Sequence, residues 1–387
     1  MLRATRAAQA LAGIQGSRIL TPAGIEPASF AIHDQMLGMG LRSPSFLDAG
    51  DLLVLPGIVD LHGDAFERSL SPRPGVRLPH ALALADVDTQ LLANGITTAF
   101  HGVTLSWEGG LRGLVSAQRM LDALANRRHT LGADHRLHLR LEARSEEGPD
   151  VAQAWVDAGT VHLLSINDHW AQLAAQLDDP ARLSRFAERA ECDMQTFLAR
   201  LEAAGRREPL PQSIVDLVAT ARRRGLSVAS HDDADPQTRR RMSAIGCNIA
   251  EFPLNEATAR QARSSGDLVV FGAPNVLRGG SHVGAPGAEA MVLAGLCDVL
   301  SSDYHYPSPL LAALDLAKRD VVSLPMAWNL VSLNPAQAAG LDDRGSMKPG
   351  RRADFLLVDD SADHPKVIAC VVAGRVRHAS SGPCFQH

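Results

Sequence analysis

The chain of 387 residues carries 38 basic and 43 acidic side chains, a formal net charge of −5, with 45% hydrophobic and 21% charged residues. That balance excludes a polyanion-binding surface spread over the molecule, so an anionic ligand needs a local positive site built from metal ions or clustered arginines. No apolar run approaches the ~20 residues of a membrane span. The five cysteines (Cys192, Cys247, Cys297, Cys370, Cys384) form no Cys-x-x-Cys pair, which points away from a disulfide framework and toward a reducing cytoplasm.

Residues 1–16 are basic and Ala-rich (Arg3, Arg6) and lack the apolar centre of a secretion signal. They read as a disordered extension or an over-extended start rather than a targeting leader. From 17 to 54, short alternating segments such as Arg18-Ile19-Leu20-Thr21 and Ser29-Phe30-Ala31-Ile32 lie between glycines and prolines and predict small strands. The stretch Leu55-Pro56-Gly57-Ile58-Val59-Asp60-Leu61-His62-Gly63-Asp64 predicts a buried strand that ends in a His and an Asp. Further strands are expected at 96–101, 137–142, 161–167, 226–231, 247–252, 268–273 and 298–303. Helical patterns at 81–94, 112–128 and 213–224 lie between them, with an inserted helical region at about 171–204. Apolar segments at 353–359 and 367–374 repeat the character of the first 54 residues.

Strands alternating with helices favour a (β/α)8 TIM-like barrel over residues 55–344. Residues 17–54 and 345–387 then pair into a small discontinuous β-sandwich domain. A doubly wound sheet would carry a Gly-rich phosphate turn after its first strand, and none is present.

In such a barrel the chemistry sits at the carboxyl ends of the strands. Residues i and i+2 of a strand share a side, so His62 and Asp64 project together. Alone, that pair reads as a capped strand end more readily than as a metal site. Four other ends change the weighing: Glu142 after His138 and Arg140, His169 after Asn167 and Asp168, His231 before Asp232 and Asp233, and Asp303 after Ser302. Imidazoles and carboxylates converging on one mouth suit zinc, manganese or similar ions. His62, Asp64, His169, His231 and Asp303 are the expected ligands, with Glu142 as a bridge between two metals and Asp303 also as proton acceptor. Asp232 and Asp233 read as turn and cap residues, and His129, His135 and His378 as solvated. Arg278-Gly279-Gly280-Ser281-His282 offers donors for phosphate oxygens, and Ser71-Pro72-Arg73-Pro74 presents a stiffened arginine beside the first strand.

These residues resemble the amidohydrolase superfamily of metal hydrolases through Pro-Gly-x-x-(Asp/Glu)-x-His-x-Asp and the later Glu, His, His and Asp. More narrowly, the chain resembles the PhnM-type phosphonate-pathway diphosphatases. The matching stretches are His135-Arg136-Leu137-His138-Leu139-Arg140-x-Glu142, Ser230-His231-Asp232-Asp233-Ala234, Ala250-Glu251-Phe252-Pro253, Gly272-Ala273-Pro274-Asn275, Arg278-Gly279-Gly280-Ser281-His282, Ser301-Ser302-Asp303-Tyr304 and Asn334-Pro335-Ala336-Gln337-Ala338, within about residues 50–375. The resemblance implies hydrolysis of α-D-ribose 1-methylphosphonate 5-triphosphate to the 5-phosphate and pyrophosphate. It also implies two divalent metals, zinc first and manganese or nickel as alternatives. The implied metal site is His62, Asp64, Glu142, His169, His231 and Asp303, with Arg278, Ser281, His282 and Arg73 toward the substrate. The partner is then a small anionic phosphorylated sugar, not nucleic acid or membrane, with self-association left open. Competing readings are a cyclic amidase or nucleobase deaminase and a non-catalytic scaffold. The chain departs from the pattern at Gly63, at Glu67-Arg68 and at His305, and its two lone histidines fall on the fourth and fifth strands where the superfamily's usual scheme has the fifth and sixth.

Overall fold

The computed structural model describes residues 10–73, 75–280 and 286–380. Eight parallel strands run in chain order: β1 (Ile58–Gly63), β2 (Ile96–Leu105), β3 (Asp134–Glu142), β4 (Leu163–Asn167), β5 (Val228–His231), β6 (Ile249–Glu251), β7 (Leu268–Gly272) and β8 (Val299–Ser301). A parallel bridge from Gly63 to Asp303 joins the last strand to the first and closes the barrel. Strands buried on both faces need continuous apolar runs, and every residue of β2 is buried. One apolar cluster draws Val59 and Leu61, Phe100, Leu163, Ala229, Ile249, Val270 and Val299 from seven of the eight strands. β3 is the exception and offers the polar positions His138, Arg140 and Glu142 instead.

The surrounding helices bury one stripe each. Gln212–Arg223 buries Ile214, Leu217, Val218 and Ala221. Two of them are capped at their starts: the Asp235 carboxylate accepts from the amides of Gln237 and Thr238 at 2.8 Å, and Asn255 accepts from the amide of Thr258. The inserted region after β4 forms helices Trp170–Ala174, Pro180–Arg189 and Met194–Gly205.

Both chain ends build a single mixed sheet. Strands Gly13–Thr21, Gly24–His33, Met36–Met39, Leu47–Asp48 and Leu53–Pro56 join Phe355–Asp359, Lys366–Val372 and Arg375–Ala379. Two expectations change here. The first strand starts at Gly13 with Ile14 fully buried, inside the stretch expected to be unstructured; an apolar side chain with a sheet to pack on outweighs the polar composition around it. The run from Leu55 to Asp64 is also not one strand. Its first half belongs to the end sheet, and the chain turns at Gly57 into β1. A Cβ at Gly57 would lie 2.2 Å from Thr97 Oγ1, so only glycine lets the two backbones approach so closely.

The base of the barrel is tied to this sheet through Asp134, the first residue of β3. Its Oδ2 accepts from Arg136 at 3.0 Å, Arg344 at 2.7 Å and Arg352 at 3.3 Å. Burial works against the carboxylate, but Arg136, Arg344 and Arg352 outweigh it and hold its pKa at about 2. The folded value lies below the unfolded one of about 3.9, so this stabilisation is complete above that pH and fades as the pH falls through about 2. Asp134→Asn removes the carboxylate that Arg136, Arg344 and Arg352 share, leaving Arg344 paired with Asp343, and is expected to cost about 1–3 kcal/mol at neutral pH. Urea unfolding checks this, with the gap to wild type narrowing between pH 4 and pH 2.

Candidate metal centre

The chemistry-bearing residues emerge at the carboxyl ends of the strands. The ladder between β1 and β2 shifts between Asp60 and Gly63, a bulge of the kind that re-aims a side chain. His62 is buried there, with its ring stacked 5.3 Å from that of His231 at the end of β5. Asp64 lies 3.5 Å from Arg140 Nη1, and Arg140 Nη2 donates to His231 Nε2 at 3.1 Å. His169 follows β4, with its ring 5.5 Å from that of His231 and its Nε2 3.3 Å from Asp232 Oδ2. Two triplets bring their donor atoms within 4.8 Å of one another: His62, His231 and Glu251; and His169, His231 and Asp232.

The backbone at these exits is strained. Asp232, Phe252 and Asp303 sit at φ of 57°, 52° and 54°, after β5, β6 and β8. Side-chain-bearing residues adopt that region only where the surroundings impose it. Here the next strand does so: the amides of Asp232 and Phe252 bond to the carbonyls of Glu251 and Val270 at 2.9 Å, and that of Asp303 to His62 at 2.8 Å.

Burial, reinforced by Arg140, brings the His62 pKa down to about 3. Burial, Arg140 and His62 together pull His231 well below its usual range. Both imidazoles are therefore neutral, the form that ligates a metal. Burial and then Asp64 raise the Asp303 carboxyl to about 8 against the pull of Arg140, with Asp232 and Asp60 adding to the rise. Burial opposes the charge on His169, but Glu142 and Asp232 outweigh it and raise the ring to about 9. Neutral imidazoles beside mutually repelling carboxylates form a donor set that a divalent cation fits. Arg140 and the charged His169 ring are the positive charges now among them.

The expected residues fall in different places. His62, Asp64, His169 and His231 meet around the mouth with Asp303 at the exit of β8. Glu142, expected as a bridge, spends both oxygens on His169, one on Nδ1 and one on the backbone amide. Arg278 lies at the rim, where Nη1 donates to the Tyr304 hydroxyl at 3.3 Å. Arg73 lines a separate cavity of about 330 Å3 with Arg77, Arg185 and Arg189. Ser281 and His282 lie outside the described residues. The departures at Arg68 and His305 also have a place: Arg68 donates to the Tyr304 carbonyl, tying the exit of β1 to that of β8, and His305 bonds Ser308 at 2.7 Å.

Four readings are corrected. Asp232, expected as a turn residue, faces His169 and His231. His135, expected in solvent, is buried and links His101 at 2.8 Å to Asp88 at 2.9 Å. Glu251, not proposed as a site residue, is fully buried beneath the mouth. Its signal was an acid two residues after Ile249 on an expected strand, the spacing that already marked His62 and Asp64. Asp233, expected as a cap, instead accepts from Ser230 and Arg239, and Asp235 caps the following helix.

Comparison with known proteins gives the class. No family model matches the chain. It is 34% identical over 333 residues, 84% of this chain and 87% of the relative, to alpha-D-ribose 1-methylphosphonate 5-triphosphate diphosphatase of Escherichia coli (strain K12). It is 28% identical over 162 residues, 38% of each chain, to imidazolonepropionase of Deinococcus deserti. Molinate hydrolase has a similar fold, with TM-score 0.65 at 13% identity over 95% of each chain. The dihydropyrimidinase of Brevibacillus agri scores 0.61 at 11% identity over 94% of each. The closed barrel with its end sheet is the fold these solved structures share. The chain belongs to the family of the E. coli alpha-D-ribose 1-methylphosphonate 5-triphosphate diphosphatase.

Both donor triplets share His231. His231→Ala is expected to reduce zinc retained after dialysis more than His169→Ala does, as measured by mass spectrometry of the metal.

Proposed function

We propose that the chain hydrolyses α-D-ribose 1-methylphosphonate 5-triphosphate to the 5-phosphate and pyrophosphate, using two divalent metal ions. The observation that carries this reading is the buried imidazole–carboxylate cluster at the mouth with arginines around it, in a chain 34% identical to a diphosphatase for that substrate. His62, Asp64, His169, His231, Asp232 and Asp303 would hold the ions, with Glu142 supporting His169. Bound there, divalent ions lower the pKa of water to about 7 and neutralise phosphate oxygens.

The remaining work falls to side chains. Water attacks the α-phosphorus in line, its oxygen forms the new P–O bond, and the bond from that phosphorus to the bridging oxygen of the pyrophosphate breaks. Asp303, at the exit of β8, takes the proton from the attacking water in its ionised form. Arg278 at the rim, with Ser281 and His282 a few residues further on, offsets the charge of the leaving group, whereas Arg73, in a separate cavity, takes no part. The Arg278 guanidinium favours a polyphosphate over the neutral rings of a cyclic amidase or deaminase substrate.

The four cysteines among the described residues are free, in keeping with the cytoplasmic setting we propose. Among those residues no helix is long and apolar enough to cross a membrane.

A panel of ribose triphosphates, nucleoside triphosphates and hydantoins tests the reading with zinc, manganese and nickel enzyme. Pyrophosphate release from the ribose triphosphate is expected, with 18O from labelled water in the ribose 5-phosphate. Ammonia release or ring opening would replace this reading with the amidase one. Asp303→Asn is expected to lower kcat by at least about a hundredfold while metal stays bound, and unchanged turnover would remove Asp303 from the mechanism.

A further inference from the structure

Glu251 ends β6 with no exposure to solvent, below the cluster at the mouth. Its Oε1 lies 3.2 Å from His62 Nδ1. Its Oε2 lies 3.4 Å from His231 Nδ1 and 3.1 Å from Ser165 Oγ. One carboxylate therefore faces the Nδ1 atoms of two imidazoles that come from different strands.

On His231 the tautomer follows from its other nitrogen. Nε2 meets Arg140 Nη2 at 3.1 Å, and a guanidinium only donates. Nε2 must then carry the lone pair, and the single hydrogen of the neutral ring sits on Nδ1, facing Glu251. His62 presents the same atom to the other oxygen of the same group at 3.2 Å, where the carboxylate form of Glu251 accepts. Ser165 Oγ lies 3.1 Å from both Glu251 Oε2 and Asn167 Oδ1, and one hydroxyl hydrogen cannot serve two acceptors. Turning the Asn167 amide over puts its otherwise unpartnered Nδ2 on Ser165 and releases the hydroxyl hydrogen to Glu251. The carboxylate then accepts from three donors. His138 is not a fourth, since its Nε2 lies 3.7 Å away and its Nδ1 donates to the Leu61 carbonyl at 3.0 Å.

We propose that Glu251 is a positioning residue: a buried carboxylate that fixes the Nδ1–H tautomer of both His62 and His231 and so leaves both Nε2 lone pairs for a divalent cation at the mouth. This rests on the metal-centre reading above. A carboxylate behind a ligating imidazole orients the ring and raises its basicity, and its loss costs ~10–100-fold in metal affinity.

Two measurements test the proposal. The first is zinc affinity of wild type and Glu251→Gln, by competition with a chromophoric chelator. The amide keeps the volume but offers one acceptor where two Nδ1–H groups need one each, so affinity is expected to fall about 10–100-fold. The second is the 15N spectrum of the histidine side chains of the wild-type chain, before and after zinc loading. His62 and His231 are expected to carry hydrogen on Nδ1 in both states, which a role confined to packing would not require. Affinity within twofold of wild type in the variant, or an Nε2–H on either ring of the wild type before zinc, overturns the proposal. If Glu251→Gln does not fold, the wild-type spectrum decides alone. Wild-type chain that binds no zinc removes the metal reading and this proposal with it, whereas unchanged affinity in the variant removes only the role of Glu251.

Discussion

Asp303 donates its backbone amide to the carbonyl of His62 at 2.8 Å and accepts from the amide of Asp64 at 3.0 Å. The last strand is thereby stitched to the first at the residues whose side chains line the mouth. Closure of the barrel and assembly of the cluster are the same event. The left-handed backbone at Asp303 is what this stitching imposes, and its recurrence at Asp232 and Phe252 shows neighbouring exits held in the same way. A strand that slipped by one residue would lose these bonds and turn its side chains to the opposite face.

The mouth is consequently under electrostatic tension. Burial removes the charge from His62 and His231 and raises Asp303, while Asp64, Asp232 and Asp60 press on Asp303 in turn. Arg140 relieves part of this from within. Beneath the cluster, Glu251 supplies the opposite kind of order, a single acceptor around which two imidazoles are set. At the base, Asp134 and its three arginines join the barrel to the end sheet well away from the chemistry. Anchoring and reactivity thus occupy opposite ends of the same strands, as in barrels generally.

Much of this was legible in the residues. Apolar runs separated by helical periodicity define eight barrel strands, and the barrel of the described residues has eight. His169 does follow the fourth and His231 does end the fifth, so the count taken from the chain stands even where it differs from the superfamily's usual scheme. His62-x-Asp64, His231 and Asp303 could be read as strand ends because each closes an apolar segment. Glu251 was not read as a site residue, because its strand was expected to run on to Phe252, which places the acid inside the strand and not at its end. His135 was misjudged because its neighbours in sequence are polar, while its partners, His101 and Asp88, are 34 and 47 residues away.

The chain by itself determined which residues end strands and what chemistry they bring, since strand and helix periods are local and the side-chain types are written in it. Only the tertiary structure decided who meets whom. Glu142 turned to His169 rather than outward, Asp232 joined the mouth, Arg140 settled between Asp64 and His231, and the run from Leu55 to Asp64 broke at Gly57 because Thr97 lies against it. These outcomes depend on distances between segments far apart in sequence, which barrel closure sets and no local pattern records.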